Sequence, residues 1–173
     1  AVVADSHLKL PVDRREYGLL LDDMQPYERL VSNGSIAGVM LAHIVYEQLD
    51  PTPAGFSPYW IERELRTRIG FGGAVFSDDL SMEAACVAGG FGERARAALE
   101  AGCDMALVCN HLEGAIEAAD YIKGYNSPAS QLRLVRMHGS GAIDRDALMQ
   151  NPEWKRRSVE IESLVDSPEL EMD

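Results

Sequence analysis

Two consecutive carboxylates, Asp78 and Asp79, follow the apolar run Val75-Phe76-Ser77. In parallel α/β proteins the ends of buried strands are where loops and polar side chains meet solvent, and sites gather there. A carboxylate so placed can attack an electrophilic carbon; it can equally cap the helix that follows. A second pattern, Asp5-Ser6-His7, sets a carboxylate two residues from an imidazole. The carboxylate can bond one ring nitrogen and fix the tautomer, which leaves the other nitrogen to move a proton. An ordinary loop histidine is the plainer alternative. His43 closes the apolar run from Ile36 to Ala42 and reaches the same rim as Asp78 by position, as a substrate contact or as a hydrogen-bonded packing group. Asn110-His111 carries the same ambiguity, while Arg14, Arg15 and Asp50-Pro51 read as loop and surface residues.

The elements that must position these residues follow from periodicity. Leu19, Leu20, Met24, Tyr27, Leu30 and Val31 recur at helical spacing, which predicts a helix over about 15–33, broken or kinked at Pro26 and closed by Gly34. Residues 36–42, 73–77 and 105–109 are short apolar runs without alternation, as expected of strands buried on both faces. Between and after them, helices are expected from Ser57-Pro58 to about 69, over about 93–100 and over about 113–123. Strands that alternate with helices imply parallel βαβ units. Residues 124–141 read as irregular, and a last helix spans about 145–165 with an interruption near Pro152. The acidic stretch Ser167–Asp173 reads as a frayed end.

Three parallel strands cannot close a barrel, which needs eight, and an open sheet leaves unpaired edges. A partner half is therefore expected, and the opening Ala1-Val2-Val3-Ala4-Asp5, without a Met, reads as a join in mid-protein. The 173 residues are 46% hydrophobic and 25% charged, a globular mixture, and the net charge of −12 argues against a nucleic-acid partner. No apolar run reaches the roughly 20 residues that span a bilayer, so no membrane partner is expected. The cysteines Cys86, Cys103 and Cys109 fit no zinc spacing. Cys103 and Cys109 flank an apolar run and read as buried thiols of a reducing compartment, with no metal or cofactor expected.

Several segments, in order, resemble the cytoplasmic β-N-acetylglucosaminidases of glycoside hydrolase family 3. They are Asp5-Ser6-His7 with Leu10-Pro11-Val12-Asp13, Met40 to Tyr46, Asp50-Pro51 with Pro53-Ala54, Ser57-Pro58-Tyr59-Trp60, Gly70-Phe71-Gly72-Gly73, Val75 to Glu83, and Ala101 to Met105 with Cys109-Asn110. The resemblance implies an α/β fold in which residues 1–124 are the C-terminal half of a (β/α)8 barrel, contributing its last three strands. Residues 125–173 would be a C-terminal extension, helical or partly disordered. It further implies Asp78 as nucleophile and His7 as acid/base with Asp5 as its partner; His43 stays a candidate substrate-binding residue by its position alone. The implied reaction is retaining hydrolysis of terminal β-linked N-acetylglucosamine, and the implied substrate is N-acetylglucosaminyl-1,6-anhydro-N-acetylmuramic acid, with or without peptide, in cell-wall recycling. The family's Lys-His-Phe-Pro-Gly-His-Gly sugar loop and its hydroxyl-binding Asp and Arg are absent from these residues, so the N-terminal half of the barrel is expected to supply them. A broader family 3 β-glycosidase and a catalytically incomplete fragment are the alternatives.

Overall fold

A computed structural model describes residues 5–139, 141 and 144–165. The expected frayed end, Ser167–Asp173, lies outside the described residues. The chain forms two compact units that divide between His138 and Gly139.

The first unit is built on a parallel sheet in the order β2 (Gly38–Leu41), β4 (Ala74–Asp79), β5 (Met105–Leu107). β2 and β5 lie within the first and third apolar runs, whereas β4 starts one residue into the second and runs on past it through Asp78 and Asp79, which the sequence reading placed after the strand. A smaller parallel pair joins β1 (Val12–Asp13) to β3 (Val45–Tyr46), through Val12 opposite Val45. Helix α1 (Tyr17–Ser32) precedes β2, a π-wound helix (Tyr59–Arg68) links β2 to β4, and α2 (Phe91–Ala101) links β4 to β5. Both links are parallel crossovers, as alternation requires. Helices α3 (Leu112–Tyr121) and α4 (Pro128–Val135) follow β5.

Burial on both faces, expected of all three runs, is incomplete: the central strand buries Ala74, Val75 and Ser77 but Phe76 only in part, and the flanking strands expose Met40 and Met105. Val75 and Leu80 are fully buried among Phe56, Ile61, Leu65, Phe71, Ala95, Ala98 and Cys103. Small alanines on α2 let that helix sit close against the sheet. A second cluster gathers Leu20, Ala54 and Trp60. An apolar cleft of about 350 Å³ runs along the outer edge of β2, lined by Leu20, Met24, Tyr27, Met40, Leu41 and Trp60.

Three further expectations need correction. Helix α1 continues through Pro26, so the expected alternative of a break does not hold; the proline removes one amide donor without ending the element. The segment expected to be irregular contains α4, which Ser127 caps by accepting a hydrogen bond from the Ser130 amide at 3.2 Å. Its Arg133 reaches the buried Asp104 at 2.9 Å, so tertiary contact holds a helix that its short apolar pattern does not announce. Cys109 is exposed, since β5 ends at Leu107 and leaves the thiol on the rim; Cys103 is buried, as expected. Gly34 does close α1, in the left-handed conformation at φ +69°.

The second unit holds α5 (Arg145–Gln150) and α6 (Pro152–Val165), the expected helix with its expected break. Asp144 caps the first, accepting from the Ala147 amide at 2.8 Å. Asn151 caps the second, accepting from the Glu153 amide at 2.8 Å.

Candidate active site

The C-terminal end of β4 does not stay in simple register. Phe76 pairs with Met105 and Asp79 with Leu107, so three steps along β4 match two along β5. The extra residue is a bulge at Ser77-Asp78, the device by which a strand re-aims a side chain. Ser77 makes the bulge affordable in hydrogen bonds: its fully buried hydroxyl accepts from the Leu107 amide at 2.9 Å.

Asp78 and Asp79 then divide the work. Asp79 clasps the loops: its Oδ1 accepts from the amides of Ser81 and Cys109, each at 2.9 Å, and its Oδ2 from the Ser81 hydroxyl at 2.6 Å. Burial pushes its carboxyl up, but the Ser81 and Cys109 hydrogen bonds together prevail and hold it below the ordinary carboxylate range. Asp78, half-buried, accepts one hydrogen bond from the Asp79 amide at 2.9 Å, through Oδ1.

His7 and Asp5 form the expected pair, with Nδ1 of the imidazole 2.8 Å from Asp5 Oδ1. The same oxygen accepts from the His7 amide at 2.9 Å. That backbone bond first, and the ring bond second, hold the Asp5 carboxyl below its ordinary value. An ionised carboxylate only accepts, so Nδ1 carries a hydrogen and Nε2 is the nitrogen open to solvent exchange. The imidazole side chain is 72% exposed. Its loop is anchored where Ser6 accepts from the Ala84 amide at 3.2 Å, on the 3-10 turn Glu83–Ala88 that follows β4. No hydrogen bond joins His7 to Asp78 among the described residues.

His43 stands behind this rim. Its ring is fully buried, stacked on Phe56 with centroids 5.1 Å apart, and its Nε2 lies 3.3 Å from the Asp79 carbonyl. Burial pushes the imidazole below the usual histidine range, against the opposing charge of Asp78. The structure thus joins His43 to the Asp78–Asp79 strand end, with none of its surface offered to a ligand in this chain. His111 is not brought into that group; it caps α3, its Nδ1 accepting from the Gly114 amide at 2.9 Å, and packs on Phe91.

Sequence reasoning passed over several participants. Asp50 accepts a hydrogen bond from Ser57, which fixes the turn Ala54–Phe56 under His43. Arg15 makes a bidentate pair with the buried Asp13, donating from Nε to Oδ1 at 3.1 Å and from Nη2 to Oδ2 at 2.7 Å, just after the His7 loop. Asx and Ser-Pro signals could have found the first, and the Asp-X-Arg spacing, the same as in Asp5-Ser6-His7, the second. The apolar cleft beside β2 is lined by none of Asp78, His7 or His43. No group of acidic, histidine and cysteine residues among the described ones is arranged to hold a metal ion. No helix among them is long and apolar enough to cross a membrane.

Residues 1–135 match the family described as glycosyl hydrolase family 3 N terminal domain. A "Beta-hexosaminidase" of Thioalkalivibrio sulfidiphilus is 52% identical over 169 residues, covering 98% of this chain and 48% of that protein. One of Methylococcus capsulatus is 46% identical over 168 residues, covering 96% of this chain and 50% of that protein. Among solved structures, native NagZ from Neisseria gonorrhoeae superposes with a TM-score of 0.77 at 39% identity, over 96% of this chain and 48% of that one. A family 3 β-N-acetylglucosaminidase from a Paenibacillus species gives 0.74 at 27% identity, over 90% of this chain and 33% of that one. The chain spans about half the length of the curated relatives it matches.

Proposed function

The chain belongs to glycoside hydrolase family 3, and from that premise we propose that it carries the catalytic half of a retaining exo-β-N-acetylglucosaminidase. The observation that carries this reading is the Asp5–His7 pair, 2.8 Å apart, on a loop anchored to the turn that follows the Asp78 strand.

In the first step a carboxylate oxygen of Asp78 bonds to the anomeric carbon as the glycosidic C–O bond breaks. His7, charged and held by Asp5, gives its Nε2 proton to the departing oxygen. In the second step neutral His7 takes a proton from water, whose oxygen bonds to the anomeric carbon and frees Asp78. Two inversions at one carbon retain its configuration. A histidine paired with a buttressing carboxylate supplies the proton transfer that a second acidic residue provides in most glycosidases. The natural substrate in this reading is N-acetylglucosaminyl-1,6-anhydro-N-acetylmuramic acid, with or without its peptide, released in cell-wall recycling and cleaved in the cytoplasm. The names of the relatives support an amino-sugar substrate. The N-terminal half of the barrel supplies the contacts to the sugar hydroxyls and the N-acetyl group, and no metal or organic cofactor takes part.

A second reading is that the 173 residues alone are catalytically incomplete. The exposed edges of the sheet favour it: Met40 on β2 is 54% exposed and Met105 on β5 is 38% exposed.

The test is to trap the full-length protein with a 2-fluoro or 5-fluoro glycoside and map the labelled peptide. The label is expected on Asp78. Near-normal turnover in Asp78→Ala together with its loss in Asp79→Ala would overturn the nucleophile assignment. Parallel assays on nitrophenyl N-acetylglucosaminide and nitrophenyl glucoside separate this activity from a broader β-glycosidase, and the same assays on the 173 residues alone decide the second reading.

A further inference from the structure

His43 is a fully buried imidazole that the two chemical steps do not use. It follows β2 directly, and its Nε2 lies 3.3 Å from the main-chain carbonyl of Asp79 on the neighbouring strand. A carbonyl can only accept, so Nε2 carries the hydrogen. Nδ1 is buried without a hydrogen-bond partner among the described residues, which disfavours a second ring proton there and leaves the imidazole neutral. The surroundings are shaped to the flat ring. Phe56 stacks on one side at 5.1 Å, and Gly55 stands so close that a Cβ there would meet Nδ1 at 3.3 Å and the Leu41 carbonyl at 3.2 Å.

Asp79 is thereby held from both neighbouring strands. His43 takes its carbonyl from the β2 side, and the Cys109 amide takes its carboxylate at 2.9 Å from the β5 side. Its own amide, at 2.9 Å, is the group that orients the Asp78 carboxylate. Through that chain of contacts a ring with no exposed surface can fix the attack angle of the nucleophile.

We propose that His43 is a positioning residue for Asp78, which it holds through Asp79 by donating a hydrogen bond from Nε2, and that it does not touch substrate. This inference rests on the reading of Asp78 as the nucleophile. A phenylalanine keeps the ring and its stacking on Phe56 but loses the donor; a glutamine can place an amide N–H where Nε2 stands.

The experiment uses the full-length protein and nitrophenyl N-acetylglucosaminide, with Asp78→Ala, His43→Phe and His43→Gln compared with the wild type. For His43→Phe we expect kcat to fall about a hundredfold, the cost of an ångström-scale misplacement, with KM held. For His43→Gln we expect about tenfold of that loss to return, the worth of one hydrogen bond. Nitrogen-15 NMR of the wild type is expected to show His43 as the neutral tautomer with hydrogen on Nε2, and this holds whether or not His43→Phe folds. Full kcat in His43→Phe, a raised KM with kcat unchanged, or a hydrogen on Nδ1 each overturns the inference. Turnover retained in Asp78→Ala overturns the nucleophile reading and this inference together. Turnover lost there but kept in His43→Phe overturns this inference alone.

Discussion

Asp79 takes three hydrogen bonds through its carboxylate, whereas Asp78 commits one oxygen to the Asp79 amide. A nucleophile must keep electron density available, and a neighbour saturated with donors suits structure better than attack. The proposed proton-transfer group is built differently, as an exposed imidazole fixed at one nitrogen by Asp5. His7→Ala is therefore expected to lose about 10²- to 10⁴-fold in turnover of substrates with poor leaving groups. The first step should be largely spared for dinitrophenyl glycosides, which need no acid. A series of aryl glycosides of graded leaving-group pKa checks this, and an equal loss across the series counts against the acid role. The Asp-X-His and Asp-Asp patterns were both readable as candidates. Their roles came only through the family resemblance and not from the patterns themselves, because capping and catalysis use the same residue types at the same strand ends.

At the scale of elements, the bulge in β4 is held by Ser77, whose hydroxyl stands in for a backbone acceptor. Ser77→Ala leaves the Leu107 amide without that partner and is expected to cost about 1–3 kcal/mol of stability in urea unfolding. The opposite end of β4 is secured by Asp104, whose side chain is fully buried. It accepts from the Val75 amide at 2.8 Å, from Arg66 at 2.8 Å and from Arg133 of α4 at 2.9 Å. Burial pushes this carboxyl up, but the Val75 amide, Ser130, Arg133 and Arg66 together hold it below the ordinary aspartate value of 3.8. A depressed carboxylate contributes stability that is fully present above its unfolded value and is lost as pH falls through the folded one. Asp104→Asn is expected to cost about 3–5 kcal/mol at neutral pH, since Arg66 keeps a buried charge without its partner. The variant should also lose less than the wild type on going from pH 6 to pH 3, measured by urea unfolding at each pH. Parallel acid sensitivity in the two proteins would remove Asp104 from this account. Short apolar runs gave away the three strands of the main sheet but not the small β1–β3 pair, and neither the bulge nor the Asp104 cluster has a local signature: each joins residues about 30 positions apart.

The whole first unit is a sheet with two open sides. Met40 on β2, Leu19 and Tyr27 on α1, Met105 on β5, and Leu112 and Ile116 on α3 are all more than a third exposed. The apolar cleft follows the β2 side. We propose that the N-terminal half of the barrel closes against both edges, which the half-length coverage of the relatives supports. Met40→Lys is then expected to destabilise the full-length protein by about 3 kcal/mol or more, because closure would bury the new charge. The same change should shift the 173 residues alone by less than about 0.5 kcal/mol. Thermal or urea unfolding of the four proteins decides it, and an equal effect in both lengths would place Met40 outside the closure surface.

The three strands of the main sheet, their alternation with helices and the two candidate patterns, Asp5-Ser6-His7 and Asp78-Asp79, were written in the sequence, because apolar runs and local side-chain pairing depend on residues close together in the chain. Which carboxylate clasps the loops and which stays available, where His43 sits, and how α4 is held depended on contacts across strands. Those contacts are set by a one-residue bulge and by long-range hydrogen bonds, and no window of neighbouring residues encodes a partner that folding alone brings near.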